Sequence, residues 1–313
     1  MKPSVSVIVR AHERSAALDV ALTALAQQDT AEFEILVVGS KDCAAVVALH
    51  AARAHCPISH VEASSAEPRN SAADRARGAV LLFLDAEAVP DPGVISSHRA
   101  AQCAQPGLAV GTATHSANVI LEDLRGGLEA RLARPDAAIS PWHAQLPQLF
   151  GDGGNVPFSW AAVLLHHLSV HVDVWRALDG LDASLGDESR GWDLGLRAAG
   201  AGARVGLVRG AISVLPRAAR AVGVHDALRH KHPAAPIDLV TLWRGAAAED
   251  LPYVPDELGI GHWRAVCDAL LDEDARRALD LLRAAATRAQ APRSELDYVL
   301  RDAVNRTLVL RDG

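Results

Sequence analysis

The sequence predicts an α/β protein with a mainly parallel central sheet flanked by helices, followed by a helical C-terminal extension. Three observations predict it. SVSVIV (4–9), FEILVV (33–38) and AVLLFL (79–84) are short β-rich runs bounded by polar residues, as expected of strands buried on both faces. Stretches of helical apolar spacing separate them, giving β-α-β-α-β-α-β and therefore right-handed crossovers between parallel strands. Beyond about residue 225 helical patterns take over. With 313 residues, half of them hydrophobic, the chain can build one large α/β domain and an appendage. The expected division is 1–222 and 223–313.

Each element has a local reason. Arg10 to Arg14 is a polar turn after the first strand, and Ser15 is placed to cap a helix over 15–28 with Leu18, Leu22 and Leu25 on one face. The second strand ends at Gly39-Ser40-Lys41-Asp42, before a helix over 43–55 and a weak strand at 58–61. PRNSAADRARG reads as a helix with Pro68 near its start and Gly78 closing it. A helix from Ile95 to Cys103 and a strand near Leu108–Val110 follow. LEDLRGGLEARLARPD is helical up to Pro135, and Gly151-Asp152-Gly153-Gly154-Asn155 is a loop lacking the Lys-Ser/Thr of a phosphate loop. In the extension, 225–236 reads as a linker and 262–290 and 294–308 as helices. Leu270, Leu271, Leu279, Leu281 and Leu282 form an apolar face, and Ser294 with Asp297 resembles a capping box. Such helices offer a surface for the α/β domain or for a second copy of the chain, a homodimer.

Composition excludes several classes. Net charge is −7, from 31 basic and 38 acidic residues without a basic stripe, so no nucleic-acid or anionic-membrane partner is expected. No apolar stretch reaches the roughly 18–20 residues of a spanning helix. The start reads as a strand rather than a signal peptide. Cys43, Cys56, Cys103 and Cys267 are scattered, as in a reduced, cytoplasmic protein.

The chemistry concentrates where AVLLFL ends in Asp85-Ala86-Glu87. Open α/β sheets bind ligands at the carboxyl ends of their strands, and two hard carboxylates there suit one divalent cation facing a pyrophosphate. The alternative is a capped strand end with two solvated acids.

Arg69-Asn70, Ala76-Arg77-Gly78, Phe83-Leu84-Asp85-Ala86-Glu87 and Pro90-Asp91-Pro92 together resemble the centre of family 2 glycosyltransferases of GT-A fold, with Glu87 where a second Asp is usual and Ser71 near a usual Gly. The resemblance extends to SVSVIVRAHERS and FEILVVGSKD, although after the second strand this chain is either two residues shorter than the family or carries Gly39 and Ser40 in place of its base-binding acids, leaving Asp42 as the nearest carboxylate. HLSVHVDVWRALDGLDASL (167–185) and Gly191-Trp192-Asp193-Leu194-Gly195-Leu196-Arg197 also match family patterns, the second in contracted form. It covers roughly two-thirds of the chain.

The resemblance implies an inverting, metal-assisted transfer of a sugar from a nucleoside diphosphate sugar, a UDP-sugar first, to a hydroxyl of a glycan, peptide or small molecule. Mn²⁺ or Mg²⁺ would sit on Asp85 and Glu87, with His225 the candidate third ligand. Arg10, Ala11, Glu13, Ser40, Asp42, Arg69, Asn70, Asp85 and Ala86 would line the donor site. The base would be Asp193, or else Glu188 or Asp187 if Asp193 corresponds to the later acid that belongs to the helix and Arg190-Gly191 occupies the base position. The departures motivate a second reading, a catalytically degenerate GT-A-fold binding or assembly module. A nucleotidyltransferase would need a Gly-rich N-terminal loop that is lacking.

Overall fold

A computed structural model describes residues 3–11, 15–63, 65–116, 138–139, 146, 150, 159–216, 226–233, 235 and 237, with single positions between 265 and 284. The chain divides into two compact units, Met1–Ile139 with Phe150–Ala218, and Ser140–Leu149 with Ala219–Gly313.

The first unit is organised on one sheet. Its parallel half contains β1 (Val5–Arg10), β2 (Phe33–Gly39), β3 (Ile58–Glu62) and β4 (Val80–Asp85), in the spatial order β3-β2-β1-β4. Helices α1 (Ser15–Leu25), α2 (Cys43–Ala51) and α3 (Pro68–Arg75) connect them, the expected alternation. The sheet then continues through β8 (His167–His171), β6 (Gly107–Ser116) and β9 (Arg204–Pro216). Two-residue strands β5 (Val89–Pro90) and β7 (Ala138–Ile139) pair with β9 and β6. Of the seven described strands of five residues or more, β8 alone is reversed, antiparallel to both β4 and β6. The fold class is therefore the one the sequence predicts, a mainly parallel α/β sheet.

Side-chain alternation distributes the apolar residues to both faces. Val5, Val7 and Val9, Phe33, Ile35 and Val37, and Val80, Leu82 and Leu84 share one core with Leu18, Leu22 and Leu25 of α1, Val47 of α2 and Ile95 of α4 (Val94–Ala104). The residues between them, Ile8, Leu36, Leu81 and Phe83, are equally buried. Trp175 of α5 (Val172–Ala177) lies over Phe83, ring centroids 4.9 Å apart. Burial on both sides is why the β4 run is continuously apolar. Two polar residues interrupt the second face. Ser6 donates to Glu34 Oε1 at 2.7 Å, and Glu34 also accepts from the Arg77 backbone and Nε, both at 2.7 Å. Burial pushes the Glu34 carboxyl up, but the Arg77 and Ser6 hydrogen bonds hold it below the usual carboxylate range.

Some elements differ from the sequence reading. Helix α2 ends at Ala51 rather than near residue 55, and β8 and β9 were not assigned as strands. In the second unit, part of the expected linker is helix α7 (Asp226–Lys231), with Leu228 buried. Positions 265, 269, 276, 277, 280, 281 and 284 are helical, within the expected 262–290 helix. The helix ending at Pro135, the glycine loop at 151–155 and the helix at 294–308 lie outside the described residues, and no helix among the described residues is long and apolar enough to cross a membrane.

Candidate active site

The parallel strands β1, β2 and β4 end at one edge of the sheet, at Arg10, Gly39 and Asp85. Register pairs Arg10 with Asp85, so the two side chains stand beside each other on one face. The chain turns sharply after β4: Ala86 N–H donates to the Arg10 carbonyl and Ala88 N–H to the Asp85 carbonyl, each at 2.8 Å. Asp85 and Ala86 are buried, and Glu87 is half-buried.

The end of β2 is closed. A Cβ on Gly39 would lie 2.8 Å from Cys43 Sγ and 3.2 Å from the Ala11 carbonyl, so no acidic side chain fits there without displacing Ala11 or Cys43. Ala11 is buried and its N–H donates to the Val38 carbonyl at 2.7 Å. Ser40 and Asp42 are exposed, and Asp42 makes no side-chain cap bond to α2. Glu13 lies outside the described residues.

The first turn of α3 begins a charged network. Glu67 caps the helix by accepting the Arg69 N–H at 3.1 Å, with Pro68 at the position where a missing N–H costs nothing. The same carboxylate receives Arg69 Nε at 2.6 Å and Nη2 at 2.7 Å, and Arg190 Nη1 lies 2.7 Å away. Arg69 reaches on to Asp187 at 2.5 Å, and Arg10 meets the other Asp187 oxygen at 2.5 Å. Asp187 opens α6 (Asp187–Gly200). Glu67 and Arg69 are 1 % exposed, Arg10 is 21 % exposed and Asp187 48 %. Burial pushes the Asp187 carboxyl up, but Arg69 and Arg10 hold it below the usual carboxylate range. Burial likewise disfavours charge on Glu67 and Arg69, and their mutual hydrogen bonds overcome it in both.

Asp193 sits differently. It is fully buried and accepts Arg197 Nε at 2.8 Å, with Nη2 at 2.7 Å. That guanidinium also donates to the carbonyls of Leu178 and Gly180, so the pair anchors α6 to the preceding turn. Gly191, two residues earlier, packs against backbone: a Cβ there would lie 2.4 Å from the Val163 carbonyl. Asp187 is four residues before Gly191, one turn earlier on the same helical face. The Glu188 side chain lies outside the described residues.

Asn70 is committed to structure. Its Nδ2 donates to the Leu181 carbonyl at 2.8 Å and its Oδ1 accepts the Leu181 N–H at 3.0 Å. Beside it Gly180 has φ +65°, where a Cβ would fall 2.9 Å from Asn70 Oδ1. His171 accepts the Asp173 N–H at the start of α5. His225 lies outside the described residues, among which no group of three metal-ligating side chains occurs. A separate buried pair, His98 and His167, has ring centroids 5.0 Å apart. His98 Nδ1 bonds Ser169 Oγ at 2.8 Å, and His167 Nδ1 bonds the Thr112 carbonyl at 3.0 Å. Burial pushes His167 down to about 4, and burial plus the neighbouring imidazole holds His98 well below its usual value.

The structure thus brings Arg10, Arg69, Asp85 and Asp187 to one edge, pairs Asn70 with the Leu181 backbone and pairs Asp193 with Arg197. Sequence reasoning missed Glu67 and Arg190. The available signal was Glu67 directly before Pro68, a helix cap.

Residues 6–127 match the model of the family described as Glycosyl transferase family 2. Comparison of the sequence with curated proteins finds no match. Among solved structures, Staphylococcus aureus TarS residues 1–349 in complex with UDP-GlcNAc has a TM-score of 0.53 at 14 % identity, over 98 % of this chain and 90 % of that one. TarS 1–349 without that ligand gives 0.49 at 14 % identity, over the same shares of the two chains. The longer TarS chain gives 0.48 at 15 %, over 98 % of this chain and 55 % of that one. Residues 6–127 are therefore similar to glycosyltransferase family 2, and the chain shares the GT-A fold of TarS 1–349.

Proposed function

We propose that the chain transfers a sugar from a nucleoside diphosphate sugar to an acceptor hydroxyl, inverting the anomeric centre. One observation carries this reading: within the family 2 segment, register places Asp85 beside Arg10, whose guanidinium meets the half-exposed Asp187 carboxylate of α6. Donor diphosphate and acceptor base are thereby offered at one sheet edge.

The donor set fits Mg²⁺ or Mn²⁺. Asp85 and Glu87 are hard oxygen donors one residue apart at a strand end, and such ions are commonly held by one or two carboxylates plus substrate phosphates. Asp85 and Glu87 would hold the ion, with His225 the candidate third ligand, and it would neutralise charge developing on the departing diphosphate. Of the three candidate bases we favour Asp187. In the transfer, an acceptor oxygen lone pair forms the new bond to the anomeric carbon. The bond from that carbon to the diphosphate oxygen breaks, its electron pair leaving with the nucleoside diphosphate. The hydroxyl proton passes to Asp187. Asp193, fully buried on Arg197, suits holding the helix.

Closure of the β2 end by Gly39 means that base recognition uses Ser40 or backbone groups rather than the family's acids. The TarS structure of like fold holds UDP-GlcNAc, which makes UDP the first nucleotide to test. We place the protein in the cytoplasm, consistent with free Cys43, Cys56 and Cys103, and keep pairing with a second copy through the C-terminal helices as part of the proposal. A second reading, a GT-A-fold binding or assembly module without catalysis, is favoured by Gly39 and Gly191, both too tightly packed for a side chain and therefore unable to offer a carboxylate at either place.

Calorimetric titration with UDP, GDP and TDP, with and without Mn²⁺, separates the two. The transferase reading expects metal-dependent binding of one nucleotide, lost in Asp85→Ala/Glu87→Ala. A folded protein that binds none of them would favour the module.

A further inference from the structure

The two guanidiniums on Asp187 are not equivalent. Arg69 is 1 % exposed and locked by three hydrogen bonds shared between Glu67 and Asp187. Glu67 in turn is held by Arg190, so this side of the network is fixed from α3 and α6 together. Arg10 is 21 % exposed, sits at the last position of β1 and stands beside Asp85 in the register. An arginine this close to a diphosphate site is a competitor for the anion: phosphate accepts bidentate, charge-assisted bonds from guanidinium at least as well as a carboxylate does.

We propose that Arg10 is an exchangeable arm: on donor binding the diphosphate takes over the Arg10 guanidinium, and Asp187 is left anchored on Arg69 alone. The inference rests on the transferase reading above. Its consequence is an order of events. Without donor, Asp187 is engaged by two cations and is a weak acceptor of protons. With donor bound, one cation has moved to the leaving group, where it offsets developing charge, and the carboxylate that remains is oriented by a fixed buried partner. The charged groups facing Asp187 among the described residues are Arg10 from β1, Arg69 from α3 with Glu67 behind it, and Arg190 at 4.0 Å on its own helix. Of these, Arg10 is the one with both exposure and a place beside Asp85.

The test is calorimetric binding of UDP, GDP and TDP in the presence of Mn²⁺, using the full chain. Arg10→Gln is expected to weaken binding of the recognised nucleotide roughly tenfold, with Arg10→Lys between it and the wild type. Asp187→Asn, which releases Arg10, is expected to tighten binding roughly two- to fivefold. In Arg10→Gln/Asp187→Asn that gain disappears, because it runs through Arg10. Thermal melts establish that each variant is folded, and Arg10→Lys with Asp187→Asn carry the test if Arg10→Gln is not. Equal affinities in Arg10→Gln and wild type, or loss of affinity in both single variants, would overturn the exchange and leave the transferase reading standing. Absence of nucleotide binding by the wild type, with or without Mn²⁺, would overturn both.

Discussion

Two buried glutamates of the first unit are each pinned by arginine, and they differ in what their partner can do. Glu34 sits inside the sheet, held by Ser6 and by Arg77, whose side chain is 55 % exposed. Every bond closes within the fold, and its cation can return to water. Glu67 caps α3 and is held by Arg69 and Arg190, 1 % and 12 % exposed, and the chain of charge continues outward to Asp187. The first arrangement ends in a solvated cation and fixes β1 against β2 and the turn before β4. The second ends in a half-exposed carboxylate at the carboxyl ends of the strands, the edge at which open α/β sheets generally bind ligands. A buried ion pair becomes part of a site when its outer end faces the cleft and its inner end has nowhere to relax.

Breaking each glutamate measures that difference. Glu67→Ala leaves two guanidiniums short of their carboxylate, one of them deeply buried, and stability should fall by about 3–5 kcal/mol in denaturant unfolding. Glu34→Ala frees Arg77 to solvent, so the loss should be smaller, about 1–3 kcal/mol. Equal losses would mean that the depth of the partner cation is not what sets the cost.

Acidification separates the carboxylates from the histidines. His167 is neutral and buried, with its value pushed down to about 4, and burial beside that imidazole also holds His98 well below its usual value. Above the usual value of about 6.5 neither state binds the proton. As pH falls from about 6.5 to about 4 the unfolded chain takes it up and the folded chain does not, so stability declines with falling pH, by about 3 kcal/mol from His167 alone. The carboxylates enter at the foot of that window: Glu34, Glu67 and Asp187 are lowered in the fold, and their stabilisation is lost as pH falls below about 4.5 for the glutamates and below about 3.8 for Asp187. Unfolding measured from pH 7 to 4 in His167→Gln should show a shallower slope than the wild type, and an unchanged slope would remove the histidines from the account. Gly191→Ala, forced against the Val163 carbonyl, should cost about 1–3 kcal/mol, and Asn70→Ala, which releases the Leu181 backbone, about 1–2 kcal/mol.

The parallel half of the sheet was legible because its signals are local: β4 is an unbroken apolar run buried on both faces, and β1 and β2 end in abrupt polar turns. Strand β8 was not, since HLSVH is short, flanked by histidines, and owes its state to being gripped between β4 and β6. The position of Asp85 and Glu87 at the end of β4 was legible from sequence because an apolar run followed by acid marks a strand end. The partners of Asp187 were not, because Arg10 and Arg69 lie more than a hundred residues away along the chain, and pairing at that separation is set by topology. The contracted motif on α6 left Asp193 and Asp187 both open as bases. Their environments divide them: Asp193 turns inward to Arg197, and Asp187 turns to the strand ends.

That division is the central claim, and turnover tests it most directly. Release of nucleoside diphosphate is followed from UDP-, GDP- and TDP-sugars with Mn²⁺ and a panel of hydroxyl acceptors, for wild type, Asp187→Asn and Asp193→Asn, each normalised to folded protein. With Asp187 as base, Asp187→Asn should lose about 10²–10⁴-fold in rate while still binding nucleotide. Asp193→Asn should be less stable and, in its folded fraction, within several-fold of wild type. The reverse result, Asp187→Asn active and Asp193→Asn folded but inactive, would contradict the account and return the base to the buried end of the helix.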